Sequence, residues 1–471
     1  MAEGSKNLEA NERSELTARH SGGRTSHFKR PIERRMLHHT DYTLVQPIAQ
    51  SLPTTTATPG GFVNFELKHI SDVLGPHMFL DLSISVDSST GGLCSMCCNP
   101  AYVIREMRIM YKTKIISTRT GRDLDNFHRL HMTTEQTQLE WRLLSAIYGV
   151  TAQEQTLCQA FWDPLGTGAP GQTHRVSIPI DAFFATGDPA DVYLQFLDPA
   201  YLRVEFDFVN NLWGVASTIG VGLPRLTITN PLLRVVHSRL LPEETALLTQ
   251  QFLQAAPSGG LTWLDYKTET VTDMALAATA GATNRVALAL SNFQAAHRQI
   301  IVRIIPVICT NVTSLTNSAA GAISGFTFLG TNGTGNATTA WEELRHGPNV
   351  ASMAAAPATQ AQLTTVSLFN GLDIEIRRDC DWNFMQFFNR QLHNRGAFDM
   401  TGNLMTFDFS EGNSWDNHAS TGHQAWDEFR NPLLNLNFDQ AVGAGVFAVF
   451  VDGRAMVHIH HTQDGIFATS S

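Results

Sequence analysis

A chain of 471 residues, 43% hydrophobic and only 16% charged, can fill large cores, and its length fits two domains rather than one. Its formal charge of −10 excludes a protein that coats nucleic acid along its length, and six scattered cysteines exclude a disulfide framework. No apolar signal core opens the chain and no run of 18 apolar residues occurs, so neither an N-terminal signal peptide nor a membrane-spanning segment is expected.

The charge is unevenly placed. Residues 1–40 hold eight Lys and Arg against five Asp and Glu, net +3, whereas the remainder holds 25 against 38, net −13. Arg19, Arg24, Lys29, Arg30, Arg34 and Arg35 crowd into residues 19–35 against the single Glu33. Phe28, Ile32 and Met36 recur every fourth residue, which is one face of a short amphipathic helix. Residues 1–59 are read as an extended basic arm. Its candidate contacts are Arg24, Phe28, Lys29, Arg30, Ile32, Arg34 and Arg35, reaching a neighbouring subunit, a membrane or an inner layer. The bland alternative is a solvated tail, since ordering such a segment needs a partner. Pro47, Pro53 and Pro59 stiffen its exit, and Gly60-Gly61 opens the folded part.

From Phe62 the period is two. Phe62–Lys68 alternates, and Met78–Val86 sets Phe79, Asp81, Ser83 and Ser85 against Leu80, Leu82, Ile84 and Val86. Val103–Ile109, Lys114–Ser117, Arg175–Ile180, Tyr201–Val209, Leu226–Ile228 and Leu232–His237 complete a first set, expected over 60–238. A helix is predicted over Thr133–Tyr148, where Leu139, Leu143, Leu144 and Ile147 fall at helical spacing. Residues 163–172 read as a loop. A helical linker is predicted over 239–260, with Pro242 and Glu243-Glu244 at its start. The second set, over 261–471, comprises Trp263–Val271, Arg285–Leu290, Ile300–Ile308, Leu372–Arg377, Leu404–Phe409, Leu433–Phe438, Gly445–Val451 and Arg454–His460. Asp452-Gly453 predicts a hairpin turn between its last two strands. Residues 311–361, rich in Gly, Ala, Thr and Asn, read as an insertion of the kind that forms interfaces. The pattern is all-β: two tandem eight-stranded jelly-roll β-sandwiches with short helices in the connections.

Chemistry-bearing residues are few and scattered. Cys94, Cys97 and Cys98 lack a second ligand pair beyond His128 and His131, so free thiols are preferred to a zinc site. His458, His460 and His461 suggest a metal site, but only His458 and His460 share one strand face, with Met456 and opposite Val457 and Ile459, and no partner carboxylate or third His stands at a recognisable spacing, so an outward polar face is preferred. The Gly-rich stretches 166–171 and 330–335 match neither a P-loop nor a dinucleotide fingerprint. Asp379, Asp381 and Glu411 are not paired by any spacing. The glycosylation triplets at Asn311, Asn332 and Asn336 read as chance. No catalytic, cofactor or metal residue is assigned. A carbohydrate-binding or carbohydrate-active β-sandwich is the rival function; it would need clustered aromatic platforms, and the eight tryptophans are spread evenly.

Several stretches, in order, resemble the double jelly-roll major capsid proteins. That lineage joins tailless membrane-containing phages, adenovirus hexon, virophages, polinton-like elements and nucleocytoplasmic large DNA viruses. Phe65–Val86 is similar to the family's first two strands. Ile104–Leu124 resembles a paired strand ending in a Thr-Gly turn. Val176–Phe184 with Tyr193–Phe208 resembles the strand, connector and strand that follow. Leu232–Leu248 is similar to the strand and acidic helix that link the rolls. Gly402–Phe409 with Asn431–Phe438 resembles the final roll. The resemblance spans roughly residues 60–460 and leaves out the arm and 311–361. It implies a virion shell protein without catalytic residues or cofactors, a homotrimer forming a pseudo-hexagonal capsomer. The implied partners are neighbouring capsomers, penton and minor capsid proteins and, through the arm, an internal membrane or inner layer. It implies no sequence-specific nucleic acid.

Overall fold

The computed structural model describes residues 38–54, 60–68, 70, 73–88, 94–96, 100–131, 173–183, 192–193, 197, 201–209, 216–218, 224–240, 242, 245–246, 249–250, 261–273, 285–293, 295–306, 363–370, 374–381, 404–410, 422–426, 431–438, 447–462 and 465–470. The arm contacts Arg24 to Arg35, the helix over 133–148, the loop 163–172 and the insertion 311–361 lie outside these residues, as do the three glycosylation triplets.

The first unit contains β1 (His38–Val45), β2 (Pro47–Ser51), β3 (Gly61–Glu66), β4 (Val73–Ser88), β5 (Cys94–Met96), β6 (Ile104–Tyr111), β7 (Lys114–Arg119), α1 (Gly121–Leu130), β8 (Thr173–Pro179), β9 (Val192–Tyr193), β10 (Leu202–Phe208), β11 (Ala216–Thr218) and β12 (Pro224–Leu240). The second contains β13 (Leu261–Asp273), β14 (Arg285–Ala289), β15 (Ala296–Pro306), β16 (Leu363–Asn370), β17 (Ile374–Asp381), β18 (Leu404–Asp408), β19 (Gln424–Ala425), β20 (Pro432–Phe438), β21 (Phe447–Thr462) and β22 (Gly465–Ser470). Between them Pro242, Thr245, Ala246, Thr249 and Gln250 are helical, inside the expected linker.

Strand order defines the architecture. In the first unit one sheet runs β1-β12-β4-β8 and the other runs β3-β10-β6-β7, with β2 added beside β3. In the second unit the sheets run β13-β21-β15-β18 and β14-β20-β16-β17. Counting the eight principal strands of each unit from one to eight, both sheet pairs read 1-8-3-6 and 2-7-4-5. That is what results when one long antiparallel hairpin, pairing first with last and second with seventh, is rolled up. Each unit is therefore a jelly roll, and the two share one topology.

Alternation explains why these residues form these strands. Val63 and Phe65 on β3, Met107 and Ile109 on β6, and Val204 and Phe206 on β10 point inward and are buried. They share one core with Leu80, Leu82 and Ile84 on β4 and with Leu233 and Val235 on β12. Burying each such side chain contributes about 1.5–3 kcal/mol. The second roll repeats the plan with Ile300, Val302, Val366, Leu368, Met405, Phe407, Leu434 and Leu436 around the buried Trp426.

Four features depart from the sequence expectation. Residues 38–51, inside the segment expected as an arm, form β1 and β2 and edge both sheets of the first roll. Edge strands need only one apolar contact, here Val45, while Tyr42, Leu44 and Ile48 face outward, so the usual alternation is muted. Asp452-Gly453 is not a turn: β21 runs unbroken, with Asp452 opposite Thr270 and Ile301, and Gly453 opposite Glu269 and Ile300. A Cβ at Gly453 would lie 2.4 Å from the His297 ring, so glycine is required there by close packing rather than by a turn. The expected strands at 226–228 and 232–237 are one strand, β12, irregular at Asn230, whose φ is 52°. Finally, the sequence reading predicts neither α1 nor the strands β5, β9, β11, β16, β19 and β22. Thr120 caps α1, its hydroxyl accepting from the Asp123 backbone N–H while the Asp123 carboxylate accepts from the Thr120 backbone N–H.

Candidate functional site

The two rolls meet along a buried seam. One side is the end of β7, α1 and residues 178–183; the other is the β13-β21-β15-β18 sheet together with β22. At one end the contact is apolar. Trp263, Ile459 and Ile466 of the second roll belong to the first roll's core. The space a Cβ would take at Gly465 is occupied by the Tyr111 ring, 2.4 Å away.

The centre of the seam is ionic. Arg119 is fully buried. Its Nε donates to Asp181 at 3.0 Å, its Nη1 to the Tyr266 carbonyl at 2.8 Å and the Thr118 carbonyl at 2.9 Å, and its Nη2 to the Asp265 carboxylate. The Tyr266 hydroxyl donates to Asp181. Two guanidinium groups, Arg119 and Arg454, each lie 3.8 Å from the centroid of the Tyr266 ring. Burial alone would lower the Arg119 pKa, but Asp265, Tyr266 and Asp181 hold it well above its ordinary value. Burial pushes the Tyr266 phenol well up and lowers Arg454. From Arg454 the chain of contacts continues through Gln299 to Asp408 and Thr406.

Helix α1 supplies the rest. Arg122 Nε stands 2.8 Å from Asp452, and its Nη2 donates to the Thr270 hydroxyl, which itself donates to Asp452 at 2.8 Å. Thr268 donates to Asp123 at 2.7 Å. Burial and then the neighbouring Asp452 carboxylate raise the Asp123 carboxyl pKa. Further along the helix, Asp125 pairs with Arg303 of β15 at 2.8 Å, and Arg303 also donates to Asn126 and the Tyr102 hydroxyl. Phe127 and Leu130 pack on Tyr266 and Ile301. Each buried ion loses several kcal/mol of hydration, which the pairing roughly returns; removing one partner alone typically costs about 3–5 kcal/mol.

The outer faces differ from the seam and from each other. On β3, β6 and β10 the side chains form a cross-strand charge ladder, Arg203 with Glu66, Arg108 with Glu205 and Asp207, and Arg105 with Asp207, and Lys68 just past β3 joins it through Glu66. These partly exposed pairs add little stability and keep that face wet. The outer face of the other sheet carries exposed Tyr42 and Leu44, with the Arg234 guanidinium 5.7 Å from the Tyr42 ring and 2.7 Å from Asp81.

His458 and His460 share one face of β21, their rings 6.4 Å apart. His460 Nδ1 meets the Thr262 hydroxyl at 3.2 Å and its Nε2 the Thr469 hydroxyl at 3.0 Å, so both nitrogens are engaged. His128 is buried with Nε2 2.9 Å from the Pro179 carbonyl, and His131 stacks on Phe127. Among the described residues no group of three or more His, Cys, Asp or Glu could hold a metal ion. Two histidines are deeply buried: His461, which the sequence groups with His458 and His460, and His297, which sequence reasoning passed over. His297 lies 4.6 Å from the Phe293 ring centroid and His461 lies 5.7 Å from that of Trp263, and burial lowers each to a pKa of about 4. The described tryptophans, Trp263 and Trp426, are buried core residues rather than exposed platforms.

Two rolls of one topology joined in a single chain make this a double jelly-roll protein. Its structure is similar to that of the PBCV-1 virus capsid, with a TM-score of 0.61 and 10% identity over 95% of this chain and 100% of the other. It is similar to the Faustovirus major capsid protein as well, with a TM-score of 0.58 and 8% identity over 96% and 98% of the two chains. No protein-family model matches the sequence, and no curated protein does.

Proposed function

We propose that this chain is a major capsid protein, a structural subunit of the icosahedral shell of a DNA virus, working by geometry and not by catalysis. The observation that carries this reading is the repeated 1-8-3-6 and 2-7-4-5 strand order in two rolls joined by a buried seam. Two equivalent rolls per subunit let three copies present six lobes, a tile that packs like a hexagon. The similarity in fold to capsid chains over nearly the whole length supports it. So does the low charge content, because surfaces covered by neighbours are depleted in Lys, Glu and Asp. Neighbouring copies would also cover the sheet edge at β1, a strand with exposed Tyr42 and Leu44 that would otherwise invite aggregation.

In this reading the basic arm, through Arg24, Phe28, Lys29, Arg30, Ile32, Arg34 and Arg35, ties the subunit to a neighbour, a membrane or an inner layer. Residues 311–361 form part of the outward surface or an intertrimer contact. Penton and minor capsid proteins complete the shell. Sedimentation equilibrium of the purified chain tests the assembly: a mass about three times the 51.8 kDa of one chain is expected. A stable, isolated monomer at micromolar concentration would sink the proposal.

A further inference from the structure

We propose that the ionic seam is a registration device: it sets the angle between the two rolls and contributes little to net stability. Hydration lost by the buried charges and attraction regained between them roughly cancel. The apolar part of the seam, Trp263, Ile459 and Ile466, specifies the angle less sharply because the hydrophobic effect that drives its burial is non-directional. The polar part is directional. Helix α1 of the first roll reaches β21 through Arg122–Asp452 and β15 through Asp125–Arg303, both at 2.8 Å. Arg119 of β7, paired within the first roll with Asp181 at 3.0 Å, binds the Tyr266 carbonyl and the Asp265 carboxylate of β13. A rotation of one roll that keeps one pair intact breaks another, leaving a buried charge without its counter-ion. Only one relative placement satisfies all of them, so the angle is narrow even though the seam adds little net energy.

The seam acts within a single chain. Its use rests on the capsid reading, where six lobes must be spaced in equal steps and the within-chain step must match the between-chain step.

The test replaces two pairs by apolar residues without changing net charge: Arg122→Met, Asp452→Val, Arg303→Met and Asp125→Leu together. Spin labels on unnatural amino acids at the exposed positions Gln50 and Ala287, one per roll, report the inter-roll distance by pulsed electron resonance. Labelled chain is co-expressed with excess unlabelled chain so that only intrachain pairs count. The four-site variant is expected to melt within about 3 °C of the native chain, with an inter-roll distance distribution at least about twice as wide, since fewer directional contacts hold the angle. Arg303→Met alone, which leaves Asp125 buried without its cation, melts well below both. A distribution as narrow as the native one overturns the proposal. So does a four-site variant that fails to fold or melts far lower, because the seam would then be a stabiliser. None of these outcomes depends on shell formation, so failure of the capsid reading would be seen separately, in the sedimentation mass.

Discussion

Gly121→Ala sets two physical effects against each other. Gly121 is the first residue of α1, and alanine is the better helix former by at most about 1 kcal/mol. Its φ is not in the left-handed region, so backbone conformation raises no objection. Space does. A Cβ there would lie 2.4 Å from the Ala101 carbonyl oxygen, 2.6 Å from that of Ile104 and 2.9 Å from the Tyr102 Cα. All three are backbone atoms in a buried turn, so no side chain can swing away. Relief requires moving α1, but its other side is held at 2.8 Å by Arg122–Asp452 and Asp125–Arg303. Overpacking of this kind costs about 3 kcal/mol, the upper part of its usual range. The net loss is about 2 kcal/mol, or roughly 4–8 °C in melting temperature for rolls of this size. Urea unfolding followed by tryptophan fluorescence, with calorimetry beside it, measures both. A variant equal to or more stable than the native chain would refute the account of how α1 docks.

Acid weakens the fold through two histidines. Burial holds His461 at a pKa of about 4 and outweighs the partly exposed Glu269 carboxylate, 3.1 Å from His297 Nε2, to hold His297 at about 4 as well, whereas the unfolded chain protonates both at about 6.5. Stability is therefore complete above pH 6.5 and falls as pH drops toward 4, by up to roughly 3 kcal/mol per histidine. The raised Asp123 pKa acts in the opposite sense, because the fold then binds a proton more tightly than the unfolded chain. Urea midpoints at pH 7, 5.5 and 4.5 on the native chain and on His297→Gln with His461→Gln should show a pH slope that shrinks in the double variant; an unchanged slope would place the acid sensitivity elsewhere. Thr120→Ala removes the cap of α1 and is expected to lower stability by about 1 kcal/mol, with faster amide exchange in the first turn of α1 as the readout; unaltered exchange would contradict the capping role.

The sheets were legible in the sequence because their faces differ in polarity. Met78–Val86 alternates strictly, and its structure is a strand with Leu80, Leu82 and Ile84 in the core. Helix α1 escaped because its face meets a polar surface. It carries only Leu124, Phe127 and Leu130 at helical spacing, since Arg122, Asp123, Asp125 and Asn126 point into the ionic seam and mimic a solvated loop. Its one local signal is the capping pair Thr120 and Asp123. The seam itself has no spacing to read: Arg119 and its partner Asp265 are 146 residues apart. Asp452-Gly453 misled for a related reason. The aspartate is there for Arg122 and Thr270, and the glycine is there for His297. Local turn chemistry and long-range packing can demand the same two residues.

Electron cryomicroscopy of particles assembled from the purified chain decides whether it builds a shell as proposed. Capsomers with six lobes from three copies are expected, each copy spanning two adjacent lobes with its α1 seam between them. Capsomers with one lobe per chain, or a purified chain that forms no shell under any assembly condition, would contradict the proposal.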